Sequence, residues 1–154
     1  MKKAILAVVL AVAIGCGGGA NLITGVDLLD FVASSQVTSA NPMRFSSSVV
    51  VANTTTASID FTPAACGLRT LVYSSSARTG TPVWDSKVRE ASLNCVTPSK
   101  VTLAVGKSVT YTLNATGAEV LGTSGTPGTY YLVDEITLDS QPVRINAGEV
   151  ILAR

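Results

Sequence analysis

Val101-Thr-Leu-Ala-Val-Gly-Lys-Ser-Val-Thr-Tyr-Thr-Leu113 is the stretch that decides the fold. Val101, Leu103 and Val105 alternate with Thr102 and Ala104, Gly106-Lys107 breaks the line, and Val109, Tyr111 and Leu113 alternate again. A period of two sends successive side chains to opposite faces, as a half-buried strand requires. The stretch therefore predicts two strands joined by a turn or a change of sheet. Upstream, Phe45, Ser47, Val49 and Val51 alternate with Ser46, Ser48, Val50 and Ala52, and Asn53-Thr-Thr-Thr follows as a turn. Ser58 to Thr62 is expected to pair back on that strand with Ile59 and Phe61 inward. Leu68 to Tyr73 reads as a further strand, and Pro82-Val-Trp-Asp-Ser as a short one with proline at its start. Downstream, Tyr130 to Leu138 and Val143 to Leu152 form a terminal hairpin around Asp139-Ser-Gln-Pro.

Seven to eight short strands with turn signals between them predict an all-β chain, an immunoglobulin-like antiparallel β-sandwich. Composition agrees, because Thr, Val, Ser and Gly dominate while long helix formers are scarce. Two stretches read as long connections: Ser74 to Thr81, and the turn-rich Ala115 to Gly128 with Gly117, Gly122, Gly125, Pro127 and Gly128. Loops on a rigid scaffold are where such domains carry contacts. The size suits one domain.

Ahead of the sandwich stand two lysines and an apolar run from Ala4 to Ile14, ending at Gly15-Cys16. A basic start, a short apolar run and a small-residue exit mark an export signal. The run is too short to span a bilayer, which needs roughly 20 apolar residues. Ala13-Ile14-Gly15-Cys16 resembles the lipobox of bacterial lipoproteins, in which the Cys becomes the mature N-terminus and carries the lipid. The expected division is residues 1–15 as lipoprotein signal peptide, 16–42 as lipidated Cys16 and linker, and 43–154 as the sandwich. Within the linker, Gly17 to Ala20 reads as a flexible tether. Val26, Leu29 and Val32, or Leu28 and Phe31, could form an amphipathic turn in a spacer that Asn41-Pro42 ends.

The localisation that follows is the bacterial cell envelope, with attachment to the membrane through the N-terminal lipid. In a cell with two membranes, Gly17 lacks the aspartate that holds the resembled class at the inner one, so the outer membrane is expected. Ala11-Val12-Ala13 also fits ordinary secretory cleavage, and a secreted soluble protein is the alternative. Cysteine arithmetic favours the lipobox, since the three cysteines divide into lipidated Cys16 and one pair, Cys66 with Cys95. That bridge closes a loop of roughly 30 residues, worth ~3 kcal/mol on the chain-entropy model. Trp84 lies between the two cysteines and could pack on the sulfurs.

The order of pieces, from Ile59-Asp-Phe-Thr and the Cys66-Gly67 corner through Val72-Tyr73, Pro82-Val-Trp-Asp and Val101 to Thr112 to Gly128-Thr-Tyr-Tyr-Leu132, resembles the BsuPI-type domain. That family is named for a bacterial intracellular proteinase inhibitor, occurs also in exported lipoproteins, and is an immunoglobulin-like sandwich. The resemblance spans about Phe45 to Leu152. It implies proteinase inhibition for the founding member and supplies no reactive-site motif for numbered residues of this chain.

Chemistry is largely excluded by residue type. The chain has no histidine, which removes Ser-His-Asp and Cys-His systems and the commonest zinc ligand. Two bonded cysteines and one acylated leave no thiolate for catalysis or a metal. Adjacent Asp134 and Glu135 point to opposite faces of a strand, so they make no acid/base pair and read as solvated edge charges. Ser86-Lys87 and Lys107-Ser108 are loop neighbours and not dyads. Gly106-Lys107-Ser108 lacks the context of a phosphate loop, and the sequons at Asn53 and Asn114 read as turns. Without Lys2 and Lys3, nine basic residues face ten acidic ones, which offers nothing to nucleic acid. The expectation is a non-enzymatic module with no cofactor and no metal, acting on a protein partner. The alternatives are an inhibitor whose partner is a protease and a structural component of an envelope assembly.

Overall fold

The computed structural model describes residues 25–92, Cys95 and residues 99–154. The expected signal peptide and Cys16 lie outside the described residues. Nine strands pair antiparallel throughout. They are β1 (Asp30–Ala40), β2 (Met43–Ala52), β3 (Ile59–Phe61), β4 (Pro63–Tyr73), β5 (Trp84–Asp85), β6 (Val101–Leu103), β7 (Ser108–Thr116), β8 (Gly128–Leu138) and β9 (Gln141–Leu152). One sheet runs β1-β2-β7, the facing sheet β5-β4-β8-β9, and β3-β6 is a short pair of its own. The chain is an antiparallel β-sandwich.

Alternation builds the core. Phe45, Ser47, Val49 and Val51 of β2 are fully buried, as are Leu132, Asp134, Ile136 and Leu138 of β8. The β8–β9 hairpin turns through Asp139 and Ser140, both at positive φ, which matches the twist of the flanking strands. Val101 to Leu113 changes sheet: β6 pairs with β3, whereas β7 pairs with β2. Gly106, at φ 69, makes the turn between them in a backbone region that favours glycine.

Three expectations are corrected. The linker predicted over 16–42 is folded for much of its length, because residues 30–40 form β1, in register with β2 from Asp30–Ala52 to Ala40–Met43. A 3-10 turn at Gly25–Leu28 precedes it and buries Val26, with Leu29 buried beside it. Asn41-Pro42 is the turn of a hairpin and not the end of a spacer. β1 escaped detection because no residue of it is fully buried, so polarity does not alternate along it. Second, Ile59 and Phe61 point inward as expected, but β3 pairs with β6 and not with β2. The cause is Asn53, which is fully buried. Its main-chain N–H donates to the Lys107 carbonyl at 2.9 Å and its side-chain amide donates to the carbonyls of Ala57 and Leu103, each at 2.8 Å. These bonds lead the chain out of the first sheet. Third, the polar passage from Ser86 to Ser99, which reads in the sequence as irregular, opens with a 3-10 helix at Ser86–Ser92.

Candidate functional site

A polar layer crosses the middle of the sandwich. Phe45, Val72 and Leu132 belong to an apolar cluster at one end, and Val49, Leu68 and Ile136 to a second at the other. Between them in sequence lie Ser47, Thr70 and Asp134, one each from β2, β4 and β8, all fully buried. The Ser47 hydroxyl donates to Asp134 Oδ2 at 2.8 Å and the Thr70 hydroxyl to Oδ1 at 2.7 Å. Burial pushes the Asp134 carboxyl above the usual carboxylate range, and these two donors hold it down only in part. Asp134 is therefore a clamp between facing sheets. The expected solvated carboxylate is corrected, since the inward face of β8 leaves it no water. Glu135 faces outward, paired with Arg69 at 2.9 Å and Arg144 at 3.6 Å. Arg69 also grips Asp85 through two nitrogens, and this guanidinium holds the Asp85 carboxyl below its usual range.

The layer continues to the surface. Thr70 N–H donates to the Ser86 hydroxyl at 2.9 Å, and Ser86 lines a cleft of about 280 Å³ with Cys66, Leu68, Arg89, Leu113 and Asn114. Cys66 and Cys95 are joined in a disulfide, with Cα atoms 5.0 Å apart. Cys66 sits in the irregular part of β4 with φ at 68, next to Gly67 at 63. Trp84 packs in the cluster of Phe45 and Leu132.

The two expected contact loops meet at one end. Ser74 from one, with Val83 just beyond its expected end at Thr81, and Val120, Leu121 and Thr126 from the other, line a shared pocket of about 450 Å³. The second loop contains the helix α1 (Gly117–Leu121), which the turn-rich sequence did not foretell. Thr116 caps it, accepting from Glu119 N–H at 3.1 Å. Both loops are held internally. Arg154 Nη2 donates to the carbonyls of Thr123 and Gly125, each at 2.7 Å, and the Tyr130 hydroxyl donates to the Thr126 carbonyl at 2.7 Å. Arg78 Nη1 donates to the Ser76 carbonyl and Nη2 to that of Gly148, with the guanidinium 5.3 Å from the Tyr131 ring centre. Among the described residues, no group of three or more Cys, Asp or Glu side chains converges as metal ligands would.

No family model matches the chain, and neither does any curated protein. Solved structures with a similar course of chain include one described as the ApaA protein of Bordetella pertussis, at 14% identity and a TM-score of 0.39, covering 81% of this chain and 92% of that one. β-Glucosidase 3B from Thermotoga neapolitana is similar at 12% identity and a TM-score of 0.38, and the β-glucosidase of Listeria innocua at 14% and 0.35. The chain spans 17% of either glucosidase. At such scores the likeness bears on neither family nor chemistry.

Of the residues singled out in the sequence, Cys66 and Cys95 come together and the two loops share one pocket. Asp134 and Asn53 were missed as buried hubs. The one available signal was position: Asp134 falls on the inward register of an otherwise apolar strand, between Leu132 and Ile136.

Proposed function

We propose that the chain is an exported module anchored by lipid at Cys16, which acts without catalysis by touching a protein through the paired loops of residues 74–83 and 117–127. The observation that supports this reading is the placement of those loops. β1 begins at Asp30, opposite Ala52 and so beside Ser108, whereas the loops lie at the other end, beyond Tyr73 and Thr116. The expected tether and the contact surface are thus separated by the length of a strand, about 35 Å for 11 residues. Internally bonded loops lose little freedom on binding, which favours affinity. Among the described residues no helix is long and apolar enough to cross a membrane, so on this reading attachment rests on the lipid.

Two measurements test it. Metabolic acyl labelling is expected on the parent chain and absent from Cys16→Ser; label that persists on the variant refutes the anchor. A photocrosslinking residue at Val83, 48% exposed, is expected to capture a partner in the native envelope, while one at Val32, 64% exposed on β1 toward the other end, is not. Equal capture at both refutes the loop surface. Stoichiometric slowing of a serine protease by the intact protein would make that partner a protease, as the BsuPI resemblance implies.

A further inference from the structure

The chain has six arginines, and they divide by place. Along the flanks of the sandwich Arg69 pairs with Asp85 and Glu135, Arg144 with Glu135, and Arg89 with Glu119. The other three, Arg44, Arg78 and Arg154, meet no carboxylate among the described residues. All three stand at the loop end. Arg44 lies opposite Thr116, the cap of α1. Arg78 belongs to the first loop, and Arg154 donates to the Thr123 and Gly125 carbonyls of the second. A carbonyl orients a guanidinium but does not neutralise it. Among the described residues, the acidic side chains at this end are Glu119, held by Arg89, and Glu149, opposite Tyr131 on β8.

Beside these charges lies the pocket shared by the two loops. Val83, Val120, Leu121 and Tyr130 form its apolar wall, and the hydroxyls of Ser74 and Thr126 its rim. Gly125, whose carbonyl Arg154 holds, lines it too, so one guanidinium stands next to the apolar wall. The opposite end of the sandwich has the reverse bias, with Asp27, Asp30, Asp60 and Asp139 against Lys100 and Lys107. A separation of this kind turns the positive end toward negatively charged surfaces and speeds their encounter.

Resting on the reading of the paired loops as a contact surface, we propose that the protein they touch is acidic, seating an apolar side chain in the pocket and setting flanking carboxylates on Arg44, Arg78 and Arg154. Guanidinium and carboxylate match as planar forks, so such pairs bind with direction as well as charge. The Arg44 side chain is exposed and has no hydrogen-bond partner among the described residues, and Arg154 spends only Nη2 on the loop. Both therefore have donors to give. Arginines around a pocket walled by a tyrosine are also the residue types that dominate binding energy at interfaces. A protein is favoured over an anionic bilayer because the loops lie a strand's length from the expected tether, on the side away from the membrane that would hold it.

Random peptides displayed on phage and selected on the immobilised full chain supply the probe. Enriched peptides are expected to carry Asp or Glu within a few residues of a Leu, Ile, Phe or Tyr. The strongest, made synthetically and read by fluorescence anisotropy, is expected to bind Arg44→Glu at least about tenfold more weakly, because a like charge then meets its carboxylates. Lys107→Glu makes the same change of charge at the far end and is expected to keep the affinity within about twofold, since the distance exceeds the screening length. Val83→Asp, which sets a carboxylate in the apolar wall, is expected to lose binding as Arg44→Glu does. Thermal unfolding followed by circular dichroism checks that each variant folds as the parent does. Enriched peptides without an acidic excess, no enrichment at all, or equal losses from Arg44→Glu and Lys107→Glu would each overturn the proposal. So would phosphatidylglycerol vesicles bound through Arg44 when no acidic peptide is enriched, which would make the surface one for a bilayer. Capture at Val83 in the envelope is read separately: if it succeeds while the peptides fail, the contact surface stands and only its acidic partner falls.

Discussion

Replacing Asp134 by asparagine, and separately by alanine, isolates the polar layer between the two apolar clusters. The carboxyl is fully buried and both its oxygens accept from hydroxyls that are buried too. A carboxyl whose pKa is higher folded than unfolded adds stability that is complete below the unfolded value near 4 and is lost as pH rises through the folded value. Each unit by which burial lifts that pKa makes ionised Asp134 cost about 1.4 kcal/mol at neutral pH. Asparagine keeps the shape and a partner for each hydroxyl without the charge. Asp134→Asn is therefore expected to match or exceed the parent at pH 7, with that advantage shrinking as pH falls toward 4 and levelling off below it. Alanine leaves the Ser47 and Thr70 hydroxyls without their acceptor, at about 1–3 kcal/mol each, so Asp134→Ala is expected to lose about 2–6 kcal/mol near neutrality. Urea unfolding of the three proteins from pH 3 to pH 8, followed by circular dichroism, reads both effects. Reading the parent against asparagine cancels the opposite slope from Asp85, whose pKa is lowered by Arg69. An Asn variant less stable than the parent at pH 7, with the deficit growing as pH rises, would refute the reasoning.

The disulfide and one glycine make further predictions. Cys66→Ala with Cys95→Ala opens a loop whose ends are 29 residues apart, and is expected to cost about 3–4 kcal/mol by the chain-entropy model; an unfolding midpoint in urea unchanged from that of the parent would contradict this. Gly117 lies where a Cβ would run into the Ala153 carbonyl and come within 2.9 Å of Met43 Cγ. Gly117→Ala is expected to lose about 1–3 kcal/mol as an overpacked position, with amide exchange rising first along β9 near Leu152; uniform exchange across β9 would count against that contact.

Legibility followed burial. β2 and β8 were readable because each buries one face completely, and burial forces the alternation that a sequence displays. β1 was not, because its inward residues, Phe31, Ala33 and Ser35, are only half-buried at the corner where it meets β9. Selection for polarity is then weak on both faces, and the strand resembles a linker. The cysteine pair was readable from arithmetic alone. Asp134 and Asn53 were obscure for the opposite reason: composition treats an acid or an amide as a surface residue, and the partners that hold each of them in the core include groups distant in sequence. Ser47 lies 87 residues from Asp134, and Leu103 lies 50 from Asn53. Their positions, inward on β8 and at the end of β2, carried the only local hint.

Folding β1 into the sandwich changes the mechanics of the proposed anchor. A spacer running from residue 17 to residue 42 could extend roughly 90 Å at about 3.5 Å per residue, whereas the eight residues from 17 to 24 reach at most about 28 Å. With lipid at Cys16, the body is confined to a layer close to the bilayer, and its loop end stands within about 65 Å of the anchor once the length of β1 is added. That confinement limits which partners the loops can meet, since a soluble protein deep in the compartment is out of range and one bound at the same membrane is not.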